Sequence, residues 1–147
     1  MFNLLLKSGL MLLFPFLLVS CGDYATIDCE DPDYSTCIGI EPDSFDVEIL
    51  LTQINDSEKI PFILYQGQYD IFGNEPAMYL QDTATSALYV VRLPFDRDYS
   101  VKAEYSRPAG TVYAVDGVYL SKKDKKVCDT VCWEIEGKVI DVRLKDI

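Results

Sequence analysis

The sequence predicts an all-β domain, an antiparallel Greek-key β-sandwich of seven or eight strands. Three observations point there. Apolar residues recur at every second position in short runs, the pattern of strands with one buried face. Clusters of Gly, Pro, Asn, Asp and Ser separate those runs at regular spacing. No segment carries a helical apolar period of useful length.

The elements follow in chain order. Phe45, Val47, Ile49 and Leu51 alternate with Asp46, Glu48 and Thr52, which predicts a half-buried strand, and Asn55-Asp56-Ser57 turns the chain. Residues 60–65 form a second run, with Pro61 at a strand start or sheet edge. Residues 67–76 read as irregular, with a turn at Gly73-Asn74. A short strand is expected over 77–80 and a firmer one over 87–93. Pro94-Phe95-Asp96-Arg97-Asp98 turns next, leading into Tyr99, Val101, Ala103 and Tyr105, the clearest amphipathic strand. After a turn at 106–110, residues 111–115 and 118–120 flank Asp116-Gly117, a hairpin or bulge signal. Residues 121–126 read as a basic loop. Residues 131–135 and 139–144, joined around Glu136-Gly137, complete the set.

The amino terminus has a different character. Lys7 precedes an apolar run over 10–19, broken only by Pro15 and shorter than the roughly 20 residues a spanning helix needs. It has the proportions of a secretory signal and ends in Leu18, Val19, Ser20 and Cys21, followed by Gly22. That tetrapeptide resembles the lipobox of bacterial lipoproteins, which implies that Cys21 becomes the acylated first residue of the mature chain. Acyl chains contribute about 0.8 kcal/mol per buried methylene, so two of them anchor stably where one does not. The expected organisation is a signal peptide over 1–20, an acidic tether over 21–44 with Cys29 and Cys37, and the β-sandwich over 45–147. The tether carries Asp23, Asp28, Glu30, Asp31, Asp33, Glu41 and Asp43 with Pro32 and Pro42.

Removing the signal leaves 147 − 20 = 127 residues, a size suited to one core. The whole chain has 13 Lys and Arg against 24 Asp and Glu, so loss of Lys7 takes the mature balance to −12. That acidity argues against nucleic acid, whose phosphates require a basic patch. It argues equally against adhesion to anionic lipid head groups. With Cys21 assigned to lipid, Cys29, Cys37, Cys128 and Cys132 form an even set, which in an exported protein predicts two disulfides. Local pairing, Cys29 with Cys37 and Cys128 with Cys132, is favoured because both loops are short and flanked by turn-like residues. Stapling of the two termini to each other is the alternative, suited to a sandwich whose first and last strands lie close.

Candidate chemistry is sparse. The chain has no His, which removes the usual general base of Ser and Cys hydrolases and the commonest metal ligand. No nucleophile-elbow or phosphate-binding Gly motif occurs, and no catalytic residue is assigned. The four Cys lack zinc-knuckle spacing. Asp28, Glu30, Asp31 and Asp33 lack the Gly turn and spacing of a calcium loop, and a solvated tether accounts for them. No metal or cofactor is therefore expected. Ten Tyr and one Trp raise the alternative of a glycan-binding surface, with Tyr65, Tyr69, Tyr79 and Trp133 as candidate stacking rings. Tyr99 and Tyr105, sharing a strand face with Val101 and Ala103, read as core or core rim.

The stretch 95–144 resembles the second half of small β-sandwich lipoproteins of Bacteroidetes-type bacteria. The likeness rests on Asp98-Tyr99-Ser100-Val101, Val115-Asp116-Gly117-Val118, the Cys128 and Cys132 pair, and Ile140-Asp141-Val142-Arg143-Leu144. The Asp98-to-Val101 strand is also similar to late strands of prealbumin-like and carboxypeptidase-regulatory-like domains. The resemblance implies an immunoglobulin-like or prealbumin-like sandwich and carries over no active-site residue. Asp82-Thr83-Ala84 and Asp129-Thr130-Val131 are similar to O-glycosylation sites of exported Bacteroidetes proteins. The expectation is a non-enzymatic protein held at the bilayer, in the outer membrane of a bacterial envelope, through acylated Cys21. Its partner is another envelope protein or, alternatively, a glycan captured for nutrition.

Overall fold

The computed structural model describes residues 37–145, except 54, 56, 71, 73 and 74. Leu18, Val19, Ser20, Cys21 and Cys29, with the acidic residues Asp28 to Asp33, lie outside the described residues. Eight strands form, and no helix occurs among the described residues. They are β1 (Ser44–Leu50), β2 (Ile60–Gln66), β3 (Ala77–Ala84), β4 (Leu88–Pro94), β5 (Arg97–Arg107), β6 (Gly110–Val127), β7 (Thr130–Glu136) and β8 (Val139–Asp141).

Two sheets enclose one core, a three-stranded sheet in the order β4-β1-β8 and a five-stranded sheet in the order β3-β2-β5-β6-β7. The β2–β3 hairpin passes round a corner into β4 in the other sheet, and β5 returns beside β2, which is the Greek-key step. All pairings are antiparallel except β1 with β8, which is parallel. That last strand arrives by crossing from the five-stranded sheet, so no hairpin imposes an antiparallel direction.

The period-two runs are the core. Val47 and Ile49 of β1, Ile60 and Leu64 of β2, and Tyr99, Val101 and Ala103 of β5 are fully buried, and Leu93 and Ile140 close the opposing sheet. Full burial of one such aliphatic side chain contributes about 1.5–3 kcal/mol. The two core tyrosines keep their hydroxyls satisfied, as buried phenols require. Tyr99 donates to the Pro94 carbonyl at 3.0 Å. Tyr105 donates to the Val142 carbonyl at 2.8 Å and accepts from the Thr52 amide at 3.2 Å, tying β5 to the three-stranded side. Burial pushes both phenols above their ordinary pKa.

Three expectations are corrected. Asp116-Gly117 is neither a turn nor a bulge: β6 runs straight through it, in unbroken register with β5 from Gly110 to Leu120. Gly117 stands opposite Ser100, and a Cβ there would lie 2.8 Å from the Tyr99 carbonyl oxygen, so this glycine serves close backbone approach. The basic stretch 121–126 is no loop but the second half of β6, paired with β7 from Ser121 to Val127.

The disulfides are not local either. Cys37 bonds to Cys132 across 95 residues of sequence, and Cys128 is itself disulfide-bonded, so neither short loop closes on itself. The bond holds the end of the tether against β7, where Ile38 forms a single bridge to Trp133 and its carbonyl accepts from the Trp133 amide at 3.0 Å.

Candidate functional site

The two sheets are unequal, and their inequality leaves β6 open. Residues 110–120 of β6 pair with β5, whereas residues 121–127 pair with β7. Among the described residues, each half of this strand has a ladder partner on one side only, but the chain's own Gly137 to Asp141 flanks the first half from Asp116 to Leu120, which leaves residues 111–115 as its uncovered stretch. The first half reads Thr111, Val112, Tyr113, Ala114, Val115, Asp116, Gly117, Val118, Tyr119, with Asp116 its only charge. Val112, Tyr113, Val115 and Tyr119 are exposed to 42%, 55%, 39% and 53%. An exposed apolar edge without a ladder partner, here residues 111–115, is a template for a further strand.

A groove of about 420 Å³ lies along the same backbone. Ser100 and Gly117, paired across β5 and β6, line its middle; Val115 and Tyr119 flank Gly117 along β6; Asp98, Gln68 and Tyr69 line it on the β5 side. The loop that follows β2 builds that last part. The Gly67 amide donates to the Asp98 carbonyl at 2.8 Å, and the Ser100 hydroxyl, itself 2% exposed, donates to the Gly67 carbonyl at 2.7 Å. Gly67 has φ +126°, and a Cβ there would stand 2.9 Å from Pro76, so the loop needs glycine at this position.

Lys102 anchors the loop from below. Its ammonium donates to the Tyr69 hydroxyl at 2.9 Å and to Glu75 at 3.3 Å, and lies 5.1 and 5.2 Å from the Tyr69 and Tyr113 ring centroids. These hydrogen bonds, the Tyr69 one foremost, hold the ammonium above the ordinary lysine pKa. The Asp98 carboxylate accepts from Gln68 Nε2 at 3.1 Å. The Asp116 carboxylate is spoken for by the β8 backbone, accepting the Asp141 amide at 2.8 Å.

The four aromatic residues suggested by sequence do not form one platform. Tyr65 is 3% exposed, its ring 5.3 Å from Tyr69, so it cannot stack on a ligand; burial raises its phenol pKa. Tyr69 is on the groove. Tyr79 sits on the far edge strand β3, its ring edge-on to Tyr99 at 5.9 Å. Trp133 is on β7, with Lys122 5.4 Å from its centroid. The exposed rings that do border the open strand are Tyr113 and Tyr119. Their odd-numbered spacing with Val115 and Gly117 was visible, but reading a turn at Asp116-Gly117 divided the run.

Thr83 and Thr130 are both exposed, at the ends of β3 and β7. Beside Thr83, Asp82 accepts the Tyr89 hydroxyl, which holds its carboxyl below the ordinary value. Among the described residues, no group of three or more His, Cys, Asp and Glu is placed to hold a metal ion. Comparison with family models, curated proteins and solved structures gave no match to this chain.

Proposed function

We propose that this chain is a non-enzymatic, lipid-anchored envelope protein that binds another envelope protein by accepting one of its strands on the open edge of β6. The observation that carries the reading is the stretch 111–115 of β6, laddered with β5 alone, apolar, and exposed at Val112, Tyr113 and Val115. The lipobox at Leu18 to Cys21 supports the anchor, with the outer membrane as its place. The likeness to small sandwich lipoproteins of Bacteroidetes-type bacteria supports the setting. The lack of His supports binding over catalysis.

A second reading, glycan capture, has one observation in its favour: Tyr69 and Tyr119 line the groove together with the polar groups of Gln68 and Asp98. Affinity capture from envelope extracts separates the two. The protein should retain a stoichiometric protein partner, and Tyr113→Lys with Val115→Lys should release it while leaving the circular dichroism spectrum unchanged. Capture that survives those substitutions, or saturable binding of a defined oligosaccharide lost in Tyr119→Ala, overturns strand addition. Independently, Cys21→Ala should abolish labelling by a fatty-acid analogue and leave unprocessed precursor; a normally processed, soluble product would refute the anchor.

A further inference from the structure

Resting on the lipid-anchor reading, we infer that Cys128 is bonded to Cys29. The β6–β7 hairpin is then the bilayer-proximal end of the domain, and the uncovered stretch 111–115 is turned away from the bilayer. The strand it accepts belongs to a domain standing off the membrane in the aqueous envelope, not to the membrane-embedded wall of a β-barrel.

Cysteine arithmetic and local structure carry the pairing. The chain has five Cys: Cys21, Cys29, Cys37, Cys128 and Cys132. Cys37 takes Cys132, and Cys128 is disulfide-bonded too. Within the chain that leaves Cys29 or Cys21, and acylation consumes the Cys21 thiol. Cys128 sits in the two-residue turn between Val127 and Thr130 with φ +53°, a left-handed conformation that suits Gly or Asn. A Cys held there fits a sulfur that the position needs. Charge agrees with the pairing. Exposed Lys125 and Lys126 precede Cys128, while Asp28, Glu30, Asp31 and Asp33 surround Cys29 in sequence. A later part of the tether already uses such complementarity, with Glu41 on Lys122 at 2.7 Å.

Two lengths then set the orientation. The eight residues from Cys21 to Cys29 reach at most about 29 Å, so the hairpin turn stays within that distance of the acylated residue. Tyr113 lies fourteen residues from Val127 along the unbroken strand β6, about 45 Å at about 3.3 Å per residue. The uncovered stretch is therefore at the end opposite the leash. Charge favours the same arrangement. Residues 121–138 carry five Lys against four Asp and Glu, whereas the rest of 37–147 carries seven Lys and Arg against fifteen Asp and Glu. An anionic head-group surface repels the body harder than the hairpin.

The test uses the full-length, acylated protein. Proteolysis before Asp residues without reduction separates all five cysteines. Mass spectrometry should find residues 28–30 joined to 124–128, and 33–42 joined to 129–140. Residues 124–128 joined to the Cys21 peptide would remove both the inference and the anchor. A free Cys128 thiol, or one bonded outside the chain, overturns the inference alone. Orientation is read from Trp133, the only Trp, which lies on the hairpin. On phosphatidylglycerol vesicles with dansylated head groups, Trp133 should transfer energy several-fold more efficiently than the single Trp of Trp133→Phe with Tyr113→Trp, at unchanged circular dichroism. Equal transfer, or stronger transfer from position 113, overturns the orientation. Cys29→Ser with Cys128→Ser should lengthen the leash and shrink the difference; an unchanged difference refutes the role of the bond. Strand addition is judged separately, by capture with Tyr113→Lys and Val115→Lys.

Discussion

One strand, β6, lives under two regimes. Its second half, residues 121–127, pairs with β7 and carries Lys122, Lys123, Lys125 and Lys126. Two of those lysines are placed by acids and a carbonyl: Lys123 meets Glu136 at 2.6 Å, and Lys122 meets Glu41 at 2.7 Å and the Pro42 carbonyl at 2.8 Å, while Lys125 and Lys126 are exposed. Its first half, residues 110–120, pairs with β5 and carries only Asp116. Among the described residues both halves have a ladder partner on one side only, and in the first half residues 111–115 lie beyond the cover that Gly137 to Asp141 give to Asp116 and Tyr119. Solvated lysines are a common guard on such an edge, because a new neighbour would have to strip water from them. The second half has that guard and the first lacks it. The contrast teaches that an unguarded edge in an acidic, otherwise well-solvated protein is better read as a place for a partner than as neglect.

The comparison can be broken most forcefully at the closed half. The Cys37–Cys132 bond spans 95 residues, and because Cys128 carries a further disulfide that still restricts the unfolded chain, removing this bond should cost about 2–4 kcal/mol. Cys37→Ser with Cys132→Ser should lower the thermal midpoint under oxidising conditions by a corresponding amount, followed by circular dichroism. A midpoint equal to the wild type's would mean that the tether's attachment to β7 adds nothing.

The junction between the halves is the next most sensitive point. Gly137 has φ +76°, and a Cβ there would run into the Tyr119 carbonyl oxygen, at the end of the open half. Gly137→Ala should cost about 2–4 kcal/mol through backbone strain and forced displacement of Tyr119. Denaturant unfolding checks this; a cost below about 0.5 kcal/mol, the scale of an ordinary surface change, would show that the junction yields freely.

The smallest effect sharpens the open half from beneath, where β8 donates to Asp116. Hydrogen bonds from Arg143 lower the Asp141 carboxyl from its ordinary value to about 2. A depressed carboxylate adds stability that is present above its unfolded pKa and lost as pH falls through the folded value. The loss should therefore fall between about pH 4 and pH 2 and be slight, since both partners are partly solvated. Carboxyl carbon shifts measured by NMR should titrate near 2 in the wild type and move toward 4 in Arg143→Gln. A midpoint unchanged by that substitution would show that Arg143 is not the cause.

The parts legible in the sequence share a physical trait. Phe45 to Leu51 and Tyr99 to Tyr105 alternate because one face of each strand meets the core, and burial writes that period directly into residue type. The misread parts depend on neighbours distant in sequence. Asp and Gly serve a tight turn and a close strand approach equally well, and only Ser100 and the Tyr99 carbonyl beside Gly117 decide between them. The lysines of 121–126 looked like a loop because charge on a two-stranded extension leaves no apolar alternation to read. Tyr65 looked like a ligand platform until the loop carrying Tyr69 covered it.

By itself, then, the sequence determined the fold class, the strands that face the core and the presence of a lipobox-like segment, because each depends on local composition and period. Tertiary structure alone decided that Cys37 reaches Cys132, that Asp116-Gly117 lies inside a strand, and that Tyr113 and Val115 border an open edge. Those depend on which segments become neighbours in space. Such neighbours are chosen by the shared burial of many residues together, so no single stretch of chain records them.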